Sequence, residues 1–286
     1  MRLKIRKFDP AAQMKPHRIS LLIGRRGTGK TVLLEDLMSH IKHTVDFGLA
    51  FTPTAETQDM LRKHMPDACV YSAYSAAVLE RMLALQRASM AKNKTRALYL
   101  VTDDCTYDKS VFKGASVRDL FMNGRHANVA YISAMQYCMD MTPDLRTQVD
   151  YVFALKESII SNKKKLWQFF FGMFSKYEDF SRTMDQCCEN FGCLVLDNTA
   201  PTNRIEDCVF WYRAEPSLPP FRMGRSVFHR LASRHQKTPE EAGLSDAARV
   251  RDLVSIGRGS RAITSVERTD RRGRTIEEDG DSLIVE

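Results

Sequence analysis

The segment that most constrains this chain runs from Ile19-Ser-Leu-Leu-Ile23 through Gly24-Arg-Arg-Gly-Thr-Gly-Lys-Thr31 to the periodic series Leu33, Leu34, Leu37, Met38 and Ile41. The apolar run suits a buried strand and the series after Thr31 suits one face of a helix, so a glycine-rich loop must join strand to helix. Such a loop turns several backbone N–H groups into one concavity at the positive end of the helix, which is a site for phosphate. The loop fits G-x-x-x-x-G-K-[ST]: Gly24, Arg25, Arg26, Gly27, Thr28, Gly29, Lys30 and Thr31 would wrap the phosphates of a nucleotide. Within it Lys30 supplies a point charge to the β- and γ-phosphates and Thr31 a hydroxyl ligand for Mg²⁺. The four fixed positions should match by chance in about one chain in a hundred of this length, so a turn without a ligand explains the segment poorly.

The rest of the chain keeps the rhythm of that opening unit. Apolar runs at 47–52, 97–102 and 128–137 alternate with helical stretches that begin at Ala55 and cover about 75–92 and 115–124. Alternation of this kind predicts an α/β fold with a mainly parallel central sheet flanked by helices. The runs at 150–155, 193–198 and 207–213 supply further strands, and no internal repeat is visible. From about Ser233 onward there is no Phe, Tyr or Trp, and Arg, Asp, Glu, Gly and Ser dominate. The expected division is therefore a nucleotide-binding domain over 1–232 and a polar C-terminal tail over 233–286, disordered or partly helical. Thr238, Pro239 and Glu241 would start a helix in that tail and Gly257 would stop it.

A phosphate loop needs an acidic residue at the end of a neighbouring strand. The run Ala97-Leu-Tyr-Leu-Val-Thr-Asp-Asp104 ends in two. Asp103 is assigned to Mg²⁺, directly or through water, and Asp104 to orienting and deprotonating the attacking water. In phosphate-loop proteins with such a pair, the next strand inserts between the acidic strand and the strand that feeds the loop. Here that strand ends in Tyr131-Ile-Ser-Ala-Met-Gln-Tyr137, so the Gln136 amide is placed to sense the γ-phosphate or to orient water.

Composition narrows the partners without naming one. The 286 residues are 43% apolar, enough for a sizeable core, and the net charge of +8 suits a polyanion. Two stretches could grip a DNA backbone: Lys163, Lys164 and Lys165 beside Trp167, Phe169, Phe170 and Phe171, and the N-terminal Arg2, Lys4, Arg6 and Lys7. The competing account of the first stretch is a helix that packs its aromatics and solvates its lysines. Seven cysteines, odd in number and without CxxC spacing, point to reduced thiols; a zinc site at Cys187, Cys188, Cys193 and Cys208 suffers because adjacent cysteines compete for one tetrahedral ion. No apolar run reaches the roughly 20 residues of a membrane span, and the charged N-terminus lacks the apolar core of a secretory signal, so an intracellular protein is expected.

Taken together, "GRRGTGKT", "TDDC", "FMNGRHANVAYISAMQY", "TPDLRTQVDYVFAL", "LVLDNTAPTNRIEDCVFWYRAE" and "FRMG" resemble the poxvirus-type genome-packaging ATPases of nucleocytoplasmic large DNA viruses, within the FtsK/HerA superfamily of P-loop NTPases. The resemblance runs over about residues 5–232 and departs from the family at Thr102, where an aliphatic residue is usual. It implies a P-loop NTPase of the additional-strand, RecA-like type, using ATP and Mg²⁺ to move double-stranded DNA into a preformed capsid. It further implies a homo-oligomeric ring, hexamer or pentamer, that meets viral capsid or vertex proteins at assembly sites in the host cytoplasm, with a possible place in the virion. In such rings an arginine from the neighbouring subunit completes the site; the candidates are Arg125, Arg146 and Arg204. A cellular DNA pump, a nucleotide kinase, a signalling GTPase and a structural ATP-binding assembly protein are the alternatives, although a GTPase would lack its guanine-reading NKxD element.

Overall fold

The computed structural model describes residues 4–94, 96–105 and 111–234. In chain order they form β1 (Arg6–Lys7), α1 (Pro10–Gln13), β2 (Ile19–Ile23), α2 (Lys30–Ile41), β3 (Phe47–Phe51), α3 (Ala55–His64), β4 (Val70–Tyr71), α4 (Ala76–Met90) and β5 (Leu98–Asp103). There follow α5 (Ala115–Asn123), β6 (Val129–Met135), α6 (Pro143–Arg146), β7 (Tyr151–Leu155), α7 (Ile160–Phe169), α8 (Tyr177–Cys187), β8 (Gly192–Asp197), α9 (Ile205–Cys208), β9 (Val209–Arg213) and α10 (Ser226–Arg234). The helix expected from Thr238 to Gly257 lies outside the described residues.

All nine strands join one sheet in the order β1-β9-β8-β7-β2-β6-β5-β3-β4. From β7 to β4 every pairing is parallel; β8 alone runs against both its neighbours, and β1 is again parallel to β9. The two edges, β1 and β4, are only two residues long each, which leaves little exposed ladder for another chain to extend. At the centre, β6 lies between β5 and β2, with Leu21 opposite Ser133 on one side and Thr102 opposite Ser133 on the other.

Strand alternation divides the interior into two layers. Leu21, Leu100, Tyr131 and Val152 face α4, α5, α7 and α8 on one side. Leu22, Val101, Ile132 and Phe153 face α2, α3 and α10 on the other. Each central strand is therefore buried on both faces, which is why its sequence reads as a near-continuous apolar run. Removing Leu22, fully buried, would cost about 2–5 kcal/mol because the cavity cannot collapse between two packed layers.

One polar network interrupts this core. Thr102 Oγ1 donates to Ser133 Oγ at 3.0 Å and lies 2.9 Å from the Tyr131 hydroxyl, all three buried. Thr102, where an aliphatic residue was expected by family, is thus the satisfied partner of polar side chains on the neighbouring strand, not an orphan hydroxyl.

Candidate functional site

The parallel central strands end on one edge of the sheet, and there the strand-to-helix loop, the acidic pair and Gln136 converge. Gly24 N–H donates to the Met135 carbonyl at 3.1 Å, tying the start of the loop to the end of β6. Thr28 closes the loop by donating its N–H and its hydroxyl to the Arg25 carbonyl, at 3.3 and 2.7 Å. Gly29 caps α2 at φ +92°, a left-handed conformation that a side chain would strain, and this lets the backbone turn into the helix. Lys30, 7% exposed, folds back over the loop to donate to the Gly24 carbonyl at 3.2 Å and to Asp104 Oδ1 at 3.0 Å.

The two aspartates sit in different surroundings. Asp103, the last residue of β5, is 3% exposed, and its Oδ2 accepts from Thr57 Oγ1 at 2.8 Å and Thr52 Oγ1 at 3.4 Å. Burial pushes its carboxyl above the usual carboxylate range; the Thr57 hydroxyl opposes that shift, Asp104 adds to it, and Lys30 and Thr52 oppose it more weakly. Asp104 leaves the strand at φ +48°, a region Asp tolerates better than bulkier residues, with its N–H on the Ala134 carbonyl at 3.1 Å. This kink turns its carboxylate into the cleft, where Gln136 Nε2 donates to Oδ2 at 2.9 Å while Lys30 holds Oδ1. One carboxylate is therefore gripped from both sides, by the loop lysine and by the amide on the inserted strand.

Arg25, Arg26, Gly29, Thr31, Asp103 and Asp104 line one cleft of about 340 Å³. Its donor set suits Mg²⁺: a hydroxyl at Thr31 and a desolvated carboxylate at Asp103 are hard oxygen ligands, and the two threonine hydroxyls together with Lys30 only partly offset the burial of Asp103. The Cys105 thiol beside them is inert, since burial raises its pKa to about 12.

The expected arginines take three different positions. Arg146 is 7% exposed, its guanidinium stacked 4.1 Å from the Phe169 ring centre and its Nη1 on Met139 Sδ at 3.2 Å, so it is packed within this chain. Arg125 is exposed and precedes β6, at the edge opposite the cleft. Arg204 follows β8, whose last residue, Asp197, pairs with the first of β7, so it also lies at that opposite edge; it is 76% exposed and 3.8 Å from Asp207.

The lysine triplet does not form one patch. Lys163 is 7% exposed and faces α8, where its ammonium donates to Asp185 Oδ1 at 2.6 Å and Ser181 Oγ at 3.3 Å. Lys163, expected with its neighbours as a candidate DNA contact, is turned inward between them by the helical period. Lys164 is exposed, 5.5 Å over the Tyr177 ring, and Lys165 bonds the Tyr137 hydroxyl, one residue beyond Gln136. Phe170 and Phe171 are buried and Phe169 is 41% exposed, so the aromatics mostly pack the helix. At the N-terminus Arg6 donates to the Glu206 carbonyl at 2.6 Å and Lys7 lies 5.9 Å over the Trp211 ring, both serving the edge pairing of β1.

Sequence reasoning missed Thr52, Thr57 and Phe191. The hydroxyls could have been found in Thr52-Pro-Thr-Ala-Glu-Thr57, a polar run that follows a strand neighbouring the acidic one. Phe191 carried no signal, because only the antiparallel placement of β8 beside β7 brings it to the loop.

No family model matches the chain. It is 32% identical over 204 residues to protein L437 of Acanthamoeba polyphaga mimivirus, covering 68% of this chain and 72% of that one. It is 33% identical over 196 residues to protein 015R of Frog virus 3, covering 68% of this chain but 61% of the relative, less than two thirds of its length. Among solved structures, B204, the DNA-packaging ATPase from Sulfolobus Turreted Icosahedral Virus, superposes with a TM-score of 0.54 at 15% identity, over 72% of this chain and 100% of its own. The fold is thus shared at a level where side chains are not.

Proposed function

This chain belongs to one family with protein L437 of Acanthamoeba polyphaga mimivirus, and we propose that it is a genome-packaging ATPase, which hydrolyses ATP to move double-stranded DNA into a preformed capsid. The observation that carries this reading is the grip of Lys30 and Gln136 on the two oxygens of Asp104, across a strand inserted between the acidic strand and the loop strand. A nucleotide kinase needs the loop but has no use for an amide fixed on its second carboxylate.

The steps follow from the geometry. Phosphate oxygens of ATP meet the loop N–H groups and draw Lys30 toward the β- and γ-phosphates. Its ammonium then leaves Asp104 Oδ1 free to accept a proton from water, while Gln136 keeps Oδ2 and so fixes the direction of attack. Water adds to the γ-phosphorus, the bond to the β-phosphate oxygen breaks, and ADP and phosphate result. Thr31 and Asp103 would hold Mg²⁺, which when bound would supply positive charge to the phosphates. A neighbouring subunit of a hexameric or pentameric ring would supply Arg125 or Arg204, both exposed on the edge away from the subunit's own cleft. Lys164 and Lys165 would hold the DNA backbone, and capsid or vertex proteins at cytoplasmic assembly sites would receive the motor.

One assay tests the whole reading: ATP hydrolysis with and without double-stranded DNA, over a salt series. Hydrolysis should rise with DNA, and the rise should shrink as salt displaces phosphate contacts. Hydrolysis indifferent to DNA overturns the motor; phosphate transfer to a small acceptor selects a kinase; binding without turnover selects a structural role.

A further inference from the structure

Phe191 is the most exposed large apolar side chain among the described residues, at 71%. It also has the backbone least suited to it, since Asn190 and Phe191 adopt left-handed φ values of +49° and +62° in succession. Asn tolerates that region; a bulky residue does so only where its surroundings impose it. Here they do. Cys188 N–H is on the Met184 carbonyl at 2.9 Å, its thiol is on the Ala154 carbonyl at 3.4 Å, and Arg213 Nη2 donates to the Glu189 carbonyl at 3.3 Å. On the far side, a Cβ at Gly192 would stand 2.2 Å from the Cys187 carbonyl oxygen, so the turn closes only with glycine. Both ends of the turn are anchored while its aromatic tip faces outward.

The tip faces the loop. A Cβ at Gly29 would meet Phe191 Cδ1 at 3.4 Å, which places the ring against the backbone of the phosphate loop. Phe191 walls the phosphate cleft on one side, together with the half-exposed Val32, and on the other a groove formed with Gly27, Thr28, Lys156, Cys188 and Asn190. A strained, exposed ring shared by two clefts at the lip of a phosphate site has no packing role that would explain its cost.

We propose that the Phe191 ring is the platform on which the purine base of the bound nucleoside triphosphate stacks, with Val32 as a second apolar contact. The proposal rests on the reading of this cleft as a nucleotide site. Base and phosphate are then held by separate devices, the loop with Lys30 for the phosphates and the 189–191 turn for the base. Stacking accepts any purine face, so adenine and guanine nucleotides should differ little in affinity.

The test is equilibrium binding of Mg-ATP and of inorganic tripolyphosphate to the full chain, to Phe191→Ala, to Phe191→Trp and to Lys30→Ala. Phe191→Ala should weaken Mg-ATP by roughly 5- to 100-fold while leaving tripolyphosphate unchanged. Phe191→Trp should keep ATP affinity, and its emission should respond to ATP but not to tripolyphosphate. Unaltered ATP affinity in Phe191→Ala overturns the proposal, as does an equal loss of both ligands, which marks a structural role. Lys30→Ala should weaken both ligands. Wild-type protein that binds neither ligand would sink the nucleotide site itself, and the stacking with it.

Discussion

Two lysines of this protein are buried to the same degree and paired with aspartate, yet they belong to different kinds of region. Lys30 and Lys163 are each 7% exposed, and each donates to a carboxylate within 3.0 Å. Around Lys163 everything is helix side chain: α7 and α8 meet, and Asp185 and Ser181 close the contact. Around Lys30 the partners are a loop carbonyl and a carboxylate that Gln136 already holds, beside an open cleft. The first is a packing contact between two helices, the second a set of groups placed to exchange partners if a phosphate enters the cleft. Burial and pairing alone do not separate structure from chemistry; what the partner is free to do next does.

Substitution should divide the two regions sharply. Lys30→Ala is expected to lower ATP turnover by roughly 10²- to 10³-fold with little change in melting temperature, the loss of one preorganised charge at the transferring phosphate. Lys163→Ala is expected to do the reverse, keeping turnover and costing about 1–2 kcal/mol in a denaturation curve, a modest figure because Asp185 is largely solvated. Equal effects on turnover would erase the distinction between the two regions.

Next in size is Gln136→Ala, where turnover should fall by up to about 10²-fold while nucleotide affinity is retained, since only the aim of Asp104 is lost. A matching loss of affinity would move Gln136 from positioning to binding. A smaller effect is expected where α7 meets solvent: replacing Lys164 and Lys165 by Ala should reduce the salt dependence of DNA binding by about 1 logarithmic unit per lysine contact. Should Lys163→Ala do the same, the inward position of that side chain would not describe the DNA-bound protein.

The smallest effect lies in the other layer of the core. Asp36 on α2 is 1% exposed and accepts the Tyr212 hydroxyl at 2.5 Å. Burial raises its pKa, with the Tyr212 hydroxyl and His40 opposing. The folded protein therefore keeps this proton to higher pH than the unfolded chain does, and stability from the group is lost as pH rises through the folded pKa. Asp36→Asn, which no longer titrates, should gain melting temperature relative to the wild type as pH climbs above about 4, near the unfolded value, towards neutrality. Thermal scans across that range read the difference directly, and a gap that does not change with pH would remove the titration as its source.

Sequence alone settled whatever depends on local order. β2 spans Ile19–Ile23 as its apolar run requires, and β6 takes its place between β5 and β2 as the acidic pair implies. A strand buried on both faces must be apolar throughout, and a glycine-rich turn into a helix has few backbone solutions, so both are written in consecutive residues. Harder to read were the short edges β1 and β4, two residues each, with too few side chains to show a period. Tertiary structure decided the rest. It chose which lysine of three turns inward, which hydroxyls hold Asp103, whether Thr102 is a misfit or a partner, and where an aromatic 160 residues after the loop comes to stand. Each depends on the register of one element against another, a property that no stretch of neighbouring residues contains.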